Sequence, residues 1–187
     1  MRSVASGFVT GRRRTAGLRR RIKRWWPDIQ AWPARLVSSP LVPIPVRNRV
    51  LALVGHEFEE MARIRPGTLV TGRSLRLGRD TFINSGCVID AHGSVWMGDE
   101  VHVSHHVVIL TEDHDPGTPT RRAGPMAPRP VRIGTGAWIG AGAVILPGTE
   151  VGEGCVIAAG AVARGTLEPH TVYGGVPAKP IRELARE

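Results

Sequence analysis

Residues 133–162 read IGTGAW-IGAGAV-ILPGTE-VGEGCV-IAAGAV when broken every six residues. Each unit opens with a branched aliphatic: Ile133, Ile139, Ile145, Val151 and Ile157. Each has glycine at its fourth place, from Gly136 to Gly160, and a small residue at its fifth: Ala137, Ala143, Thr149, Cys155 and Ala161. A branched side chain recurring every sixth residue can point inward and stack on its counterpart one coil away. The small fifth residue suits the crowded inside of a corner, and glycine tolerates backbone angles that other residues resist. One unit cannot bury its own face, so stability must come from stacking. Helical periodicity is absent, and glycine interrupts strict strand alternation.

Working backwards, Ile109, Val103 and Met97 keep the register of Ile133. The gap from 109 to 133 is a multiple of six, so whole units have been replaced by an excursion that sets out as ILTEDHDPGTP. Further upstream, Leu77, Ile83 and Ile89 share a register offset by two residues, which a small insertion around 91–96 explains. Ile64–Leu69 (IRPGTL) reads as the first unit. Ahead of it, residues 44–61 are predicted helical, because Val46, Val50, Leu51, Val54 and Phe58 include spacings of three and four, with Gly55 as a flaw. A short helix is predicted over 180–187, opened by Pro180. The expected organisation is a leader over 1–43, a helical segment over 44–61, a mainly β coil over 62–179 with a loop protruding at 113–131, and a C-terminal helix.

Composition agrees with a thin, repetitive core: 23 glycines and only 5% aromatics among 187 residues. Cys87 and Cys155 are too few for a disulfide framework and sit among aliphatics, as small core residues of a reducing compartment. No apolar run approaches the ~20 residues of a membrane span, and no signal-peptide core follows the early arginines, so a cytoplasmic protein is expected. The net charge of +9 is concentrated in Arg12, Arg13, Arg14, Arg19, Arg20, Arg21, Lys23 and Arg24, followed by Trp25 and Trp26. Three readings are open for this leader: a segment lying on an anionic membrane surface, a nucleic-acid arm (the less favoured), or a solvated leader.

The repeat resembles that of the hexapeptide-repeat acyltransferases, whose coils form a left-handed parallel β-helix; the hand is implied by the resemblance alone. Four ordered blocks, FINSGCVID (82–90), ILTEDHD (109–115), IGTGAWIGAGAVILPG (133–148) and VYGGVPAKPIRE (172–183), are similar to the maltose and galactoside O-acetyltransferase branch. The resemblance implies an acetyl-CoA-dependent O-acetyltransferase acting on a sugar or glycosylated acceptor, with an N-acetyltransferase on an amino sugar or antibiotic as the alternative. It implies a homotrimer with sites between subunits. His114 is then the general base, since a near-neutral imidazole can take a hydroxyl proton as the bond to the thioester carbon forms. One of Glu112, Asp113 and Asp115 is a candidate to hold its second nitrogen. Asn84, Asp90 and Met126 are the acceptor-binding candidates. Trp138, Gly140, Ala141 and Ala159 are expected along the coenzyme A flank, with a main-chain N–H near Gly140–Ala141 as oxyanion donor and Arg164, Lys179 and Arg182 as phosphate cations.

Two departures from the branch stand out. Gly124-Pro125-Met126-Ala127-Pro128 lacks the usual acidic residue, and Arg164-Gly165 replaces the usual Thr-Lys pair. A zinc hydratase of this fold would need a His-x4-His pair. His92, His102, His105, His106 and His114 offer none, and no metal is expected. A sugar nucleotidyltransferase would need an α/β domain that residues 1–60 cannot hold.

Overall fold

A computed structural model describes residues 36–185. Most of the basic leader lies outside the described residues. Helix α1 spans Ile44–Leu53, shorter than the helix expected over 44–61. Gly55 ends it: at φ +111° it occupies backbone space closed to most residues, and the N–H groups of Gly55 and His56 turn back to the carbonyls of Ala52 and Leu51. The coil therefore begins with Glu57 rather than Ile64.

Its first turn is β1 (Glu57–Phe58), β2 (Arg63–Ile64) and β3 (Leu69–Gly72); the second is β4 (Leu75–Leu77), β5 (Phe82–Ile83) and β6 (Val88–Ala91). The third is β7 (Val95–Met97), β8 (His102–Val103) and β9 (Val108–Ile109), after which β10 (His114–Thr118) and β11 (Arg121–Met126) leave the coil as an antiparallel hairpin. The fourth turn is β12 (Val131–Ile133), β13 (Trp138–Ile139) and β14 (Val144–Ile145), and the fifth is β15 (Glu150–Val151), β16 (Val156–Ile157) and β17 (Val162–Ala163). β18 (Thr166–Leu167), β19 (Thr171–Gly174) and β20 (Lys179–Glu183) finish the described chain. Parallel pairing stacks the coil strands into three faces, with β20 added antiparallel at the end of face 2. Face 1 runs β1-β4-β7-β12-β15-β18, face 2 runs β2-β5-β8-β13-β16-β19-β20, and face 3 runs β3-β6-β9-β14-β17.

Within each face one column points in. On face 2 it is Ile64, Ile83, Val103, Ile139, Ile157 and Tyr173, paired coil to coil and all buried. Burying one such isoleucine contributes about 1.5–3 kcal/mol. The outward columns differ. On face 3 one outward column is aliphatic in every turn: Leu69, Val88, Val108, Val144 and Val162 form one register ladder.

Two corners keep the six-residue step throughout; on face 2 and face 3, Ile64 to Val70, Ile83 to Ile89, Val103 to Ile109, Ile139 to Ile145 and Ile157 to Ala163 are each six apart. Every irregular step falls at the corner between face 3 and face 1. Val70 to Leu77 is seven residues, Ile89 to Met97 eight, Ile109 to Ile133 twenty-four and Ala163 to Leu167 only four. The slip and the excursion read from the sequence thus share one edge of the molecule. An insertion there bulges outward and leaves pairing on all three faces intact.

Of the helix expected over 180–187, the described residues 180–185 form none. Lys179–Glu183 form β20, antiparallel to β19. Eight residues make a marginal helix, whereas the last strand of face 2 offers unpaired N–H and C=O groups for a strand to cover. Pro180 is tolerated because β20 is an edge strand. At the other end, Arg47 ties α1 to the coil. It is 1% exposed, and its guanidinium donates to the carbonyls of Val37 (2.6 Å), Ser39 (2.8 Å), Val42 (3.1 Å) and Ile64 (3.0 Å).

Candidate active site

His114 is the first residue of the hairpin and is exposed. Its Nδ1 lies 2.9 Å from the carbonyl oxygen of Gly124. A carbonyl only accepts, so Nδ1 carries the proton and Nε2 of the neutral ring keeps its lone pair. Neither Glu112, Asp113 nor Asp115 holds the ring. Asp113 instead accepts the main-chain N–H of His114 at 2.8 Å and pairs with Arg129 across the hairpin neck. Hydrogen bonds from His114 and Arg129 hold the Asp113 carboxyl below its ordinary pKa. Gly124 must be glycine, because a Cβ there would lie 2.5 Å from the Asp115 carbonyl oxygen. Met126 sits directly across from His114 in the hairpin register and is exposed. The excursion is therefore a paired hairpin rather than a loose loop. Its expected last residue, Val131, is buried and belongs to face 1.

Asp90 is buried at the root of the hairpin. Burial alone would raise its pKa, but hydrogen bonds from His92, Glu112 and Thr111 outweigh that and lower it. Asp90, His92 and Glu112 bring three ligand atoms within 4.8 Å of one another. The His92 Nδ1 proton points at Asp90 Oδ1 at 2.6 Å, and Asp90 Oδ2 accepts the N–H groups of Thr111 and Glu112. The Asp90 and His92 atoms a metal would need are already hydrogen-bonded. Arg164 follows β17 at this same corner, two turns further on.

The remaining candidates lie at the corner between faces 2 and 3. Asn84 follows β5, Gly140 and Ala141 follow β13, and Ala159 follows β16. Asn84 turns its side-chain oxygen to the N–H of Ser85 at 2.9 Å. The Gly140 N–H is committed to the Ile157 carbonyl at 2.7 Å. The N–H groups of Ala141 and Ala159 donate to nothing among the described residues. A Cβ added at Gly142 or Gly160 would meet nothing within 4 Å. This open edge of free donors suits a chain of amides such as pantetheine, whose carbonyls need partners. Gly140 has a different constraint, since a Cβ there would lie 2.6 Å from Ala159 N. Trp138 stands half exposed on face 2 next to this corner, its indole N–H donated to Ser104 Oγ at 3.0 Å. Lys179 opens β20 opposite Gly174, beside the corner, and Arg182 lies along face 2 opposite Val172.

The structure thus gathers His114, Met126, Asp90 and Arg164 at one edge of face 3, and Asn84, Gly140, Ala141, Ala159 and Lys179 at the other. It does not bring the two sets together within one chain. Sequence reasoning missed Gly124, which acts through its carbonyl, Thr111, which acts through both its main chain and its hydroxyl, and His92, to which the two-residue slip had pointed. Both thiols are buried and donate to carbonyls, Cys87 to Ser104 and Cys155 to Thr171. Burial pushes Cys155 up to about 11 and raises Cys87 as well, so neither is a thiolate near neutral pH.

Residues 130–165 match the family model "Bacterial transferase hexapeptide (six repeats)". The chain is 33% identical over 113 residues to the galactoside O-acetyltransferase of Escherichia coli K12, a match covering 60% of this chain and 56% of that protein. It spans little more than half the length of this and the other foremost sequence relative. Its fold superimposes on a hexapeptide-repeat acetyltransferase of Vibrio cholerae solved with acetyl coenzyme A (TM-score 0.76, 26% identity, 84% of this chain and 87% of that one). It also superimposes on a maltose O-acetyltransferase of Clostridium difficile 630 (TM-score 0.69, 25% identity, 86% and 87%). Its three-faced parallel coil, its hairpin and these matches give the chain the fold of the hexapeptide-repeat left-handed β-helix acetyltransferases, with a resemblance to their maltose and galactoside O-acetyltransferase branch.

Proposed function

We propose that the protein transfers an acyl group, acetyl first among candidates, from acetyl-CoA to a hydroxyl of a sugar or glycosylated acceptor. The observation that carries this reading is the fixed tautomer of His114, whose Nδ1–H is spent on Gly124 and whose Nε2 is left to accept a proton. In the reaction, Nε2 takes the hydroxyl proton as the acceptor oxygen bonds to the thioester carbon. The Ala141 N–H is the donor proposed for the oxyanion that forms, in preference to Gly140, whose N–H is engaged. The C–S bond then breaks, and His114 returns the proton to the departing sulfur. Transfer is direct, because both thiols are buried and protonated, leaving no cysteine nucleophile. Asn84 and Met126 are proposed to contact the acceptor. Trp138, Ala159, Arg164, Lys179 and Arg182 are proposed to hold the donor. No metal takes part in this scheme.

The active form is proposed to be a homotrimer. Supporting this, the base and the donor-binding edge lie at opposite edges of face 3, and one outward column of that face is a ladder of aliphatics from Leu69 to Val162. A neighbouring copy can cover that ladder and bring its own second corner to His114. The solution mass is then three times that of the chain. Among the described residues no helix is long and apolar enough to cross a membrane. Association with an anionic membrane surface through the basic leader is proposed from its arginines and tryptophans alone.

The test is transfer from labelled acetyl-CoA to a panel of hydroxyl and amino acceptors, with His114→Ala as the comparison. Acceptor-dependent release of free coenzyme A that the variant loses supports the reading. Equal rates for the folded variant and the wild type would end it.

A further inference from the structure

Asp90 was expected to bind the acceptor, yet its side chain is only 10% exposed and both carboxylate oxygens are turned into the protein. Oδ2 accepts the main-chain N–H groups of Thr111 (3.0 Å) and Glu112 (2.8 Å). Oδ1 accepts the N–H of His92 (3.1 Å) and lies 2.6 Å from its Nδ1. Thr111, itself fully buried, donates its hydroxyl to the Asp90 carbonyl (3.0 Å) and accepts the Gly93 N–H (2.9 Å). One carboxylate thus joins the two largest irregular steps of the coil, the small bulge at 91–94 and the hairpin root at 111–112.

From this clamp to the proposed base is two residues. Glu112 is followed by Asp113, whose carbonyl accepts the Ala127 N–H (2.8 Å) and whose side chain accepts the N–H of His114 (2.8 Å). Thr111 closes the neck from the other side by accepting the Arg129 N–H (2.8 Å). A carboxylate suits this place because the four nitrogens aimed at it are all donors, and an amide would turn its own N–H₂ against two of them.

We infer that Asp90 is a positioning residue for His114, holding the hairpin root at the bulge so that the imidazole keeps one place and one orientation. The inference rests on the reading of His114 as the base. It predicts a kinetic pattern that acceptor binding would not give. Asp90→Asn should lower kcat by about 10²-fold, the cost of misplacing a reacting group by about 1 Å, with the KM for acceptor and for acetyl-CoA little changed. In a His114→Ala background the same substitution should cost almost nothing further, because its effect passes through the missing ring. Hydrogen exchange of the Asp90→Asn protein should quicken across 112–127 while the hydrogen-bonded amides of Gly140, Gly142, Ala143 and Val144 stay protected.

A raised acceptor KM with kcat preserved would make Asp90 an acceptor ligand and overturn the inference. So would undiminished loss in the His114→Ala background, unchanged exchange over 112–127, or loss of protection throughout the coil. The reading of His114 fails separately: His114→Ala at the wild-type rate would remove the base, while the exchange experiment would still decide whether Asp90 pins the hairpin.

Discussion

The two edges of face 3 are built by opposite rules. At the corner with face 2, every coil takes the same six-residue step, and from the fourth turn on the residues are small: Gly140, Ala141, Gly142, Ala158, Ala159 and Gly160. Nothing protrudes, and main-chain donors are left open. At the corner with face 1 the step varies, and the ionisable side chains Asp90, His92, Glu112, Asp113 and His114 collect. The first edge offers backbone, which suits a long flexible donor molecule. The second offers side chains held by one another, which suits proton transfer. A repetitive coil can make the first kind of surface with no departure from its pattern, but the second requires breaking it.

The most severe way to break this comparison is to regularise the irregular corner. Replacing residues 110–130 by the Leu-Pro-Gly of 146–148 restores a six-residue step from Ile109 to Ile133. Circular dichroism should still report the coil, and transfer should fall below detection. A protein that kept its activity would show that the hairpin is dispensable. Next in size is His114→Ala, expected to lower turnover about 10²–10⁴-fold without a change in melting temperature. Its partner across the hairpin, Gly124, sharpens the point: Gly124→Val should displace the carbonyl that fixes the ring and lower turnover while the coil stays folded.

On the regular side the expected effects are on stability. Ile139→Ala removes a fully buried side chain between Val103 and Ile157 and should cost about 2–5 kcal/mol by denaturant titration. A loss below about 1 kcal/mol would mean that the stacked column is not the source of stability.

The smallest expected effect is on pH dependence. His56 is buried, its Nδ1 accepts the Leu75 N–H at 3.2 Å, and burial lowers its pKa. A histidine depressed in the folded state contributes stability fully above its unfolded value, about 6.5, and loses it as pH falls below that value toward the folded one. Asp90, also lowered, adds stability that is present above the unfolded carboxyl value of about 3.9 and lost below it. The melting temperature should therefore fall in two stages on acidification, and His56→Gln should remove the first. A single fall confined to pH below about 4 would contradict the role given to His56.

The coil was legible from residues 133–162 because its inward places repeat every six residues, and the hairpin was legible as a gap in that count. The ends were not. Gly55 looked like a flaw in a long helix because its positive φ is invisible in a hydrophobic pattern, and β20 looked helical because Pro180 opens a helix and an edge strand equally well. His114 and Met126 were assigned separately, as base and as acceptor contact, and it is the hairpin register that sets them directly across from each other. The orientation of His114 was not foreseen, since the group that sets it is a main-chain carbonyl ten residues away. Nor was the grouping of the cations. Arg164 and Lys179 share a predicted role as phosphate cations, whereas they lie at opposite edges of face 3.

That separation makes the shared site directly measurable. One chain carries His114→Ala, and a second, tagged differently, carries Asn84→Ala with Lys179→Ala. Each alone should be inactive or nearly so. Co-expressed and purified through both tags, they should recover a substantial fraction of wild-type transfer, because an intact hairpin of one copy meets an intact second corner of its neighbour. Doubly tagged oligomers with no activity above that of the separate variants would contradict a site built between copies, and so would a monomer with full activity.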